Sequence, residues 1–254
     1  MSLINLLKRV KRNKTVVIVD LWLIMLALIS FIIDILFIER HKIGISEIII
    51  LCIFVLFVLV LILESHHIPK IYEKVDKCAS EISKYDFSLE PKNVYKLLSD
   101  SNYLYKDGAI IRNRIIHKTD NYNVTKFDIE FIKDEKTRLL AKFYMYDTKE
   151  NFKTHILANR SLVLSNLRNL KKDSYANTNL YYDYNDKFDI TKMNVEFTSN
   201  YYICFKDNKI YFIDFNKKIL NLEKNLINEG EFINYVKSEV ISFDLIYKEL
   251  IRLK

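Results

Sequence analysis

The stretch that decides the fold is TVVIVDLWLIMLALISFIIDILFI, an almost uninterrupted apolar run over residues 15–38. A second such run, ISEIIILCIFVLFVLVLIL, covers residues 45–63. Crossing the ~30 Å hydrocarbon layer of a bilayer takes about 20 helical residues, so each run is long enough to span a membrane. The first run is also longer than the apolar segment of a cleaved signal peptide. The sequence therefore predicts a transmembrane helical hairpin over residues 15–64, closed by the short connection 39–44.

Basic residues are concentrated in the leader, residues 1–14, which contains no acid. Lys and Arg accumulate on the cytoplasmic side of membrane proteins, and the connection between the runs offers only Arg40 and Lys42. Both termini are therefore predicted to be cytoplasmic, in a multi-pass protein of the bacterial inner membrane. The leader is either a plain orientation signal or a site for anionic lipid headgroups, where each base contributes about 1 kcal/mol. Its five bases are Lys8, Arg9, Lys11, Arg12 and Lys14.

The composition excludes several kinds of chemistry. With only 3 Gly among 254 residues, the chain has no glycine-rich loop to cradle a nucleotide phosphate. Its 3 Cys are scattered and match neither a disulfide framework nor a zinc signature. The formal net charge is +7, of which the leader holds +5 and residues 15–64 hold −3. The remaining +5 is spread over 190 residues, a weak excess that does not indicate a nucleic-acid partner. We predict no cofactor, and we expect membrane lipids and either another protein or a second copy as partners.

Residues 65–254 are predicted to form one cytoplasmic α+β domain, with a mostly antiparallel sheet and a C-terminal helix. Phe127, Ile129 and Phe131 alternate with charged residues, which is the period of a half-buried strand. Further strands are predicted before and after this segment, at residues 110–116 and 139–145. The tail carries an apolar stripe at helical spacing, formed by Phe232, Val236, Val240, Phe243, Tyr247 and Leu250.

Local signals complete the predicted domain. Pro69 is expected to begin a new helix after the membrane exit, and Gly230 to end the helix that precedes the tail. The motif DTKE, which starts at Asp147, resembles a capping box and predicts a helix. The dipeptide DN at 207–208 predicts a tight turn that folds residues 201–215 into a hairpin. Because both faces of this hairpin are apolar, we expect it in the middle of the sheet.

The stretch YYICFKDNKIYFIDF, Tyr201–Phe215, and the amphipathic helix after Gly230 resemble an uncharacterised bacterial family of two-pass membrane proteins of unknown function. Members of that family combine a two-pass hairpin with a cytoplasmic α+β part that closes on strand, turn, strand and helix. The resemblance implies the same outline for this chain. It implies no activity, because the family has none to transfer.

Three acidic residues, Asp20, Asp34 and Glu47, lie within the apolar runs. An ionisable side chain at mid-bilayer costs roughly 2.5–3.5 kcal/mol, so each is a functional candidate. Asp34 and Glu47 lie near the ends of their runs and can reach the outer interface, where Arg40 or Lys42 can pair with them. Asp20 lies about 7–8 Å inside the first run at helical rise, so it is expected to need a partner in the membrane. The three acids predict either an ion or proton path in an oligomer, or interfacial and packing roles.

Catalytic and metal-binding patterns are absent from the sequence. The adjacent residues His66 and His67 point in different directions on a helix, so they do not converge on a metal. Cys204 falls on an apolar stripe and is predicted to be a small core residue. No catalytic, cofactor-binding or metal-ligating residue is therefore assigned.

The function favoured by these features is non-catalytic: an inner-membrane protein that presents a cytoplasmic α+β module for protein interaction. One alternative is an oligomeric membrane effector or channel-like protein, related to toxin, immunity or defence systems, in which Asp20 is important. A second alternative is a membrane-anchored enzyme whose site no motif reveals. The shortage of glycine and the absence of paired catalytic motifs disfavour the enzyme.

The predicted topology is tested by reporter fusions after Lys254. Because both termini are predicted to be cytoplasmic, a fused alkaline phosphatase should be inactive and a fused fluorescent protein should be bright. A cysteine placed at Lys42 should react with an impermeant maleimide added outside the cell. Phosphatase activity from the C-terminal fusion would show that the orientation is wrong.

Overall fold

The structure is a computed structural model in which the chain forms two compact units. We refer to Met1–Cys78 with Leu222–Glu229 as the hairpin unit, and to Ala79–Asn221 with Gly230–Lys254 as the sheet unit. The structure describes residues 2–37, 45–91, 94–103, 108–132, 138–159, 170–175, 178–182, 200–215 and 219–253.

The elements follow one another as two long helices, a strand-rich segment and a helical tail. This order and the antiparallel sheet confirm the predicted α+β class. In chain order they are α1 (Leu3–Phe37), α2 (Ile45–Ser83), β1 (Asp86–Ser88), α3 (Val94–Asp100), β2 (Ala109–Lys118), β3 (Tyr122–Ile132), β4 (Arg138–Asn159), β5 (Lys171–Tyr175), β6 (Thr178–Tyr182), β7 (Tyr201–Phe215), α4 (Leu222–Asn225) and α5 (Glu229–Arg252).

Both helices of the hairpin unit are longer than the apolar runs that predict them. The basic leader is continuous with the first run in α1. Pro69 lies inside α2, so the prediction that it begins a new helix is wrong. A proline removes a single helical hydrogen bond, and a helix of 39 residues absorbs that loss. The predicted boundary at residue 64 lies within the same helix.

Each long helix has one side covered by protein, and the covered residues recur at alternating spacings of three and four. This is the spacing of a coiled-coil seam. On α1 the seam consists of Leu3, Leu6, Val10, Asn13, Val17, Asp20, Ile24, Ala27 and Phe31. On α2 it consists of Ile50, Phe54, Phe57, Leu61, Glu64, Ile68, Ile71, Val75 and Cys78.

The other sides of α1 and α2 expose large apolar side chains, such as Trp22 and Leu63, which are 62% and 60% exposed. Core helices of soluble proteins are mostly buried. Here only 6% of the most apolar 18-residue stretch of α1 is buried, and 0% of that of α2. Two helices, within Leu3–Ile33 and Ile49–Ser83, are thus long and apolar enough to cross a membrane. These features indicate a membrane protein.

The apolar stripe of the leader is covered by protein. Leu3, Leu7 and Val10 are almost fully buried, and α4 packs against α1. The backbone N–H of Leu3 also donates a hydrogen bond to the Glu229 carboxylate at 3.3 Å. The chain itself therefore provides the apolar surface that covers this stripe.

The described strands of the sheet unit form one antiparallel sheet in the order β1-β2-β3-β4-β6-β5, with β7 beside β4. The first half of β4 lies between β3 and β7, and the second half lies between β6 and β7. Among the described residues β7 pairs only with β4, so it is an edge strand rather than the predicted central hairpin. Asp207, where the tight turn was predicted, has a positive φ of 54° within the continuous strand.

The pairing of β4 with β7 is interrupted by a large bulge. Between Asp147 and His155, β4 takes eight residue steps, while β7 takes four between their partners Lys209 and Phe205. Both strands change their alternation across this segment, because Phe143 and Ile156 of β4 share one core with their β7 partners Ile213 and Cys204. The bulge occupies the segment predicted to be a helix from Asp147, and that prediction is wrong.

Each face of the sheet is packed. One face carries an aromatic and aliphatic core with residues such as Phe127, Phe143 and Ile156 at its centre. The opposite face is covered by α5, whose buried residues are Phe232, Val236, Glu239, Phe243 and Leu250. The predicted tail helix is thus confirmed, although Gly230 is its second residue rather than the end of the preceding helix.

Truncating the core should be far more costly than truncating the surface. Phe143 is fully buried, so Phe143→Ala should lower the free energy of unfolding by about 3–5 kcal/mol. Lys149→Ala, on the exposed side of the same strand, should change it by less than about 0.5 kcal/mol. Denaturant unfolding of both variants in detergent measures the difference. Equal losses would contradict the assigned core.

Candidate functional site

Four charged side chains meet between the sheet and α5. Lys126 and Asp128 come from β3, Lys142 from β4 and Glu239 from α5. We refer to these four residues as the buried ionic cluster. The side chains of Lys126 and Asp128 have no exposed surface, and that of Glu239 is 6% exposed. The Lys142 side chain is 18% exposed. Burial of the other three charges is rare unless they are paired.

The sheet register and the helical period bring these side chains together. Lys126 and Asp128 are two positions apart on β3, so both point to the face covered by α5. Asp128 is paired with Lys142 across the β3–β4 ladder. Tyr235 and Glu239 are four positions apart on α5, so they lie on the same side of that helix.

Lys126 is the centre of the contacts. Its Nζ lies 2.7 Å from Asp128 Oδ1 and 3.5 Å from Glu239 Oε2, and it donates a hydrogen bond to the Tyr235 hydroxyl at 2.8 Å. Tyr235 in turn donates to Asp128 Oδ2 at 3.2 Å. Lys142 Nζ lies 2.5 Å from Glu239 Oε1. The two ammonium groups thus neutralise the two carboxylates.

A bulge in β2 extends the network to the segment before α4. Asn113 has a φ of 53°, in the left-handed region that Asn tolerates better than most residues. Its backbone N–H donates to the Leu89 carbonyl at 3.0 Å. Its side-chain amide donates to Asp128 Oδ2 at 2.8 Å and to the Leu220 carbonyl at 2.5 Å. Asn113 therefore connects the segments at Leu89 and Leu220 to Asp128 of the cluster.

Burial and the neighbouring carboxylates keep the Tyr235 hydroxyl neutral. Burial, followed by the nearby charges of Asp128 and Glu239, raises the pKa of Tyr235 well above its usual value. Tyr235 is therefore a neutral donor at physiological pH. Because Lys126 and Asp128 have no exposed surface, a substrate can reach them only if α5 moves away. The arrangement can fix the position of α5, and it offers no open centre for catalysis.

Of the three acids predicted inside the apolar runs, the structure describes the side chain of Asp20 only. Asp20 lies on the α1 seam with 7% of its surface exposed, and its Oδ2 has no hydrogen-bond partner among the described residues. Glu64, which follows the second apolar run and is not one of the three predicted acids, lies on the α2 seam, and its Oε2 is likewise buried without a described hydrogen-bond partner. The side chains of Asp34 and Glu47 lie outside the part of the chain that the structure describes, so their roles remain predictions.

The leader bases lie on the outside of α1. Lys14 is half-buried, and its Nζ lies 5.1 Å from the centroid of the Tyr72 ring, a cation–π contact. The remaining four, Lys8, Arg9, Lys11 and Arg12, are exposed.

Sequence reasoning missed the buried ionic cluster. It took Lys126 and Asp128 as the solvent side of a half-buried strand, although α5 covers that side. The available signal is in α5, where Glu239 lies three positions after Val236 and four before Phe243, within the buried stripe. An acid at such a position needs a buried cation opposite it. The histidines and cysteines hold no described metal site, since no group of three suitable ligands occurs among the described residues. Cys204 is buried, as predicted.

No protein-family model, curated protein or solved structure matches this chain.

The ion pair between Lys126 and Asp128 is tested by removing the cation alone and then both charges together. Lys126→Met leaves Asp128 buried beside an apolar group and should lower the free energy of unfolding by about 3–5 kcal/mol. The double variant Lys126→Met/Asp128→Leu should recover part of that loss, because the uncompensated charge is gone. Denaturant unfolding in detergent measures both, with the exposed Lys149→Met as control. A double variant less stable than Lys126→Met would contradict the ion pairing.

Proposed function

We propose that this chain is a non-catalytic membrane protein that presents its sheet unit to a protein partner. In this proposal α1 and α2 cross the inner membrane of a bacterium, and both termini are cytoplasmic. The concentration of bases in the leader supports this orientation. The closed state of the buried ionic cluster supports a scaffold rather than a catalyst.

The observation that carries the proposal is a pair of exposed apolar side chains on α5. Ile241 and Leu245 are 67% and 60% exposed. Outside α1 and α2, they are the only large apolar side chains so exposed among the described residues. They are four positions apart and therefore adjacent on the helix surface. Aliphatic anchors at this spacing are what a helical partner or a groove recognises.

The charges around the pair favour a protein as the occupant. Lys237, Lys248 and Glu249 are all exposed on the same helix. Glu249 also forms an exposed ion pair with Arg252 at 2.7 Å. A rim with both signs of charge resembles the polar rim of protein interfaces. An anionic membrane surface or a nucleic acid would instead favour a rim of positive charge only.

The leader is proposed to contact anionic headgroups through its exposed bases. The apolar stripe of α1 packs on protein while Lys8, Arg9, Lys11 and Arg12 are exposed. The leader can therefore bind lipid by charge without inserting apolar residues. This contact would supplement the anchoring that the two spans provide.

A second candidate function, an oligomeric membrane effector, is favoured by Asp20 and Glu64. Each presents a buried carboxylate oxygen without a described hydrogen-bond partner on the seam of a lipid-exposed helix. Acids in a membrane are stabilised by polar groups of neighbouring helices. A second copy would supply such groups only if the covering of the seam opened and re-formed between copies. In that case Asp20→Asn should change the oligomeric state in detergent, as measured by light scattering.

The protein-partner proposal is tested by photocrosslinking in cells. A photoreactive phenylalanine analogue at Ile241 should give a discrete crosslinked protein, because this position lies in the proposed contact. Adding Leu245→Asp should abolish the product while thermal unfolding of the purified protein is unchanged. The same analogue at Lys149, which is exposed on β4, is the matched control. Equal products at both positions, or none at Ile241, would refute the proposal, and a product of twice the chain mass would identify a second copy.

A further inference from the structure

A pocket lies where β4 bulges away from β7. Phe152 and His155 belong to the bulged part of β4, and Phe205 is the β7 partner of His155. Leu253, immediately after α5, closes one side. The pocket has a volume of about 240 Å³ and is open to solvent. Bulges change the direction of side chains and are enriched beside functional sites, so a pocket at this position is a candidate binding site.

The floor of the pocket is apolar and rigid. Leu157 is fully buried, Phe205 is 4% exposed, and Phe152 and Leu253 are each 9% exposed. The rings of Phe152 and Phe205 meet edge to face with centroids 5.5 Å apart. Such packed walls hold the shape of the cavity in the absence of a ligand. The preferred occupant is therefore an apolar group.

The rim of the pocket is polar and carries a positive charge. Asn151, Lys153 and His155 line it, and its described lining includes no acid. The Lys153 carbonyl can only accept, so His155 Nδ1, 3.0 Å away, donates to it. A negatively charged ligand head suits the Lys153 ammonium.

We propose that this pocket binds a small amphipathic monocarboxylate, with its apolar body on the Phe152–Phe205 floor and its carboxylate at Lys153. A cavity of about 150 Å³ holds benzene, so this one holds about ten non-hydrogen atoms. Octanoate has this size and chemistry. The proposal does not rest on the proposed function, because Ile241 and Leu245 do not line the pocket.

Binding is tested with octanoate and the full-length chain in lipid nanodiscs, by saturation-transfer NMR with empty nanodiscs subtracted. Octanoate should bind saturably to the wild type. Lys153→Gln should weaken octanoate about three- to fivefold, as expected for an exposed ion pair, and should leave octanol binding unchanged. Lys149→Gln, which removes an exposed lysine of the same strand outside the pocket, should change neither.

A second variant tests the apolar floor. Leu253→Trp should fill the cavity and abolish the binding of both octanoate and octanol, while the melting temperature stays within a few degrees of the wild type. The proposal is overturned if octanoate does not saturate, or if Leu253→Trp binds it as well as the wild type. It is also overturned if Lys153→Gln and Lys149→Gln have the same affinity for octanoate, because the carboxylate would then not be at Lys153.

Discussion

The sheet unit depends on β4, because this one strand pairs with three neighbouring strands. Its two halves pair with β3 and β6 on one edge, and β7 accompanies both halves on the other. A regular strand would place residues of odd and even number on opposite faces throughout. The bulge interrupts that alternation, so Phe143 before it and Ile156 after it contribute to the same core. The same interruption opens the pocket beside Phe152.

The elements that the sequence predicts well are those with an uninterrupted period. The apolar runs in α1 and α2, the alternation in β3 and the stripe in α5 each extend over many residues without a break. The bulge of β4 is different because Phe152 and Ile156 are spaced as on a helix. Likewise, Asp207 has the conformation expected of a turn residue, but pairing with β4 keeps β7 extended. Only contacts between residues that are distant in sequence decide whether such a segment forms a helix, a turn or a strand.

The buried ionic cluster shows a related limit for site prediction. The alternation around Lys126 correctly indicates which side of β3 carries the charges, but solvent exposure depends on whether another element covers that side. Here the cover is α5, more than a hundred positions later, and Glu239 supplies the compensating charge. Burial of a charge is therefore a property of the whole cluster rather than of its local sequence.

The cluster also constrains how this protein can change over generations. A lineage that substitutes Lys126 alone retains a buried Asp128 without its main counter-charge, and selection for folding acts against that intermediate. Exchange of the ions for apolar residues then requires changes that occur nearly together in β3 and α5. Diverging descendants should therefore inherit these positions as a block, while exposed positions such as Lys149 vary independently.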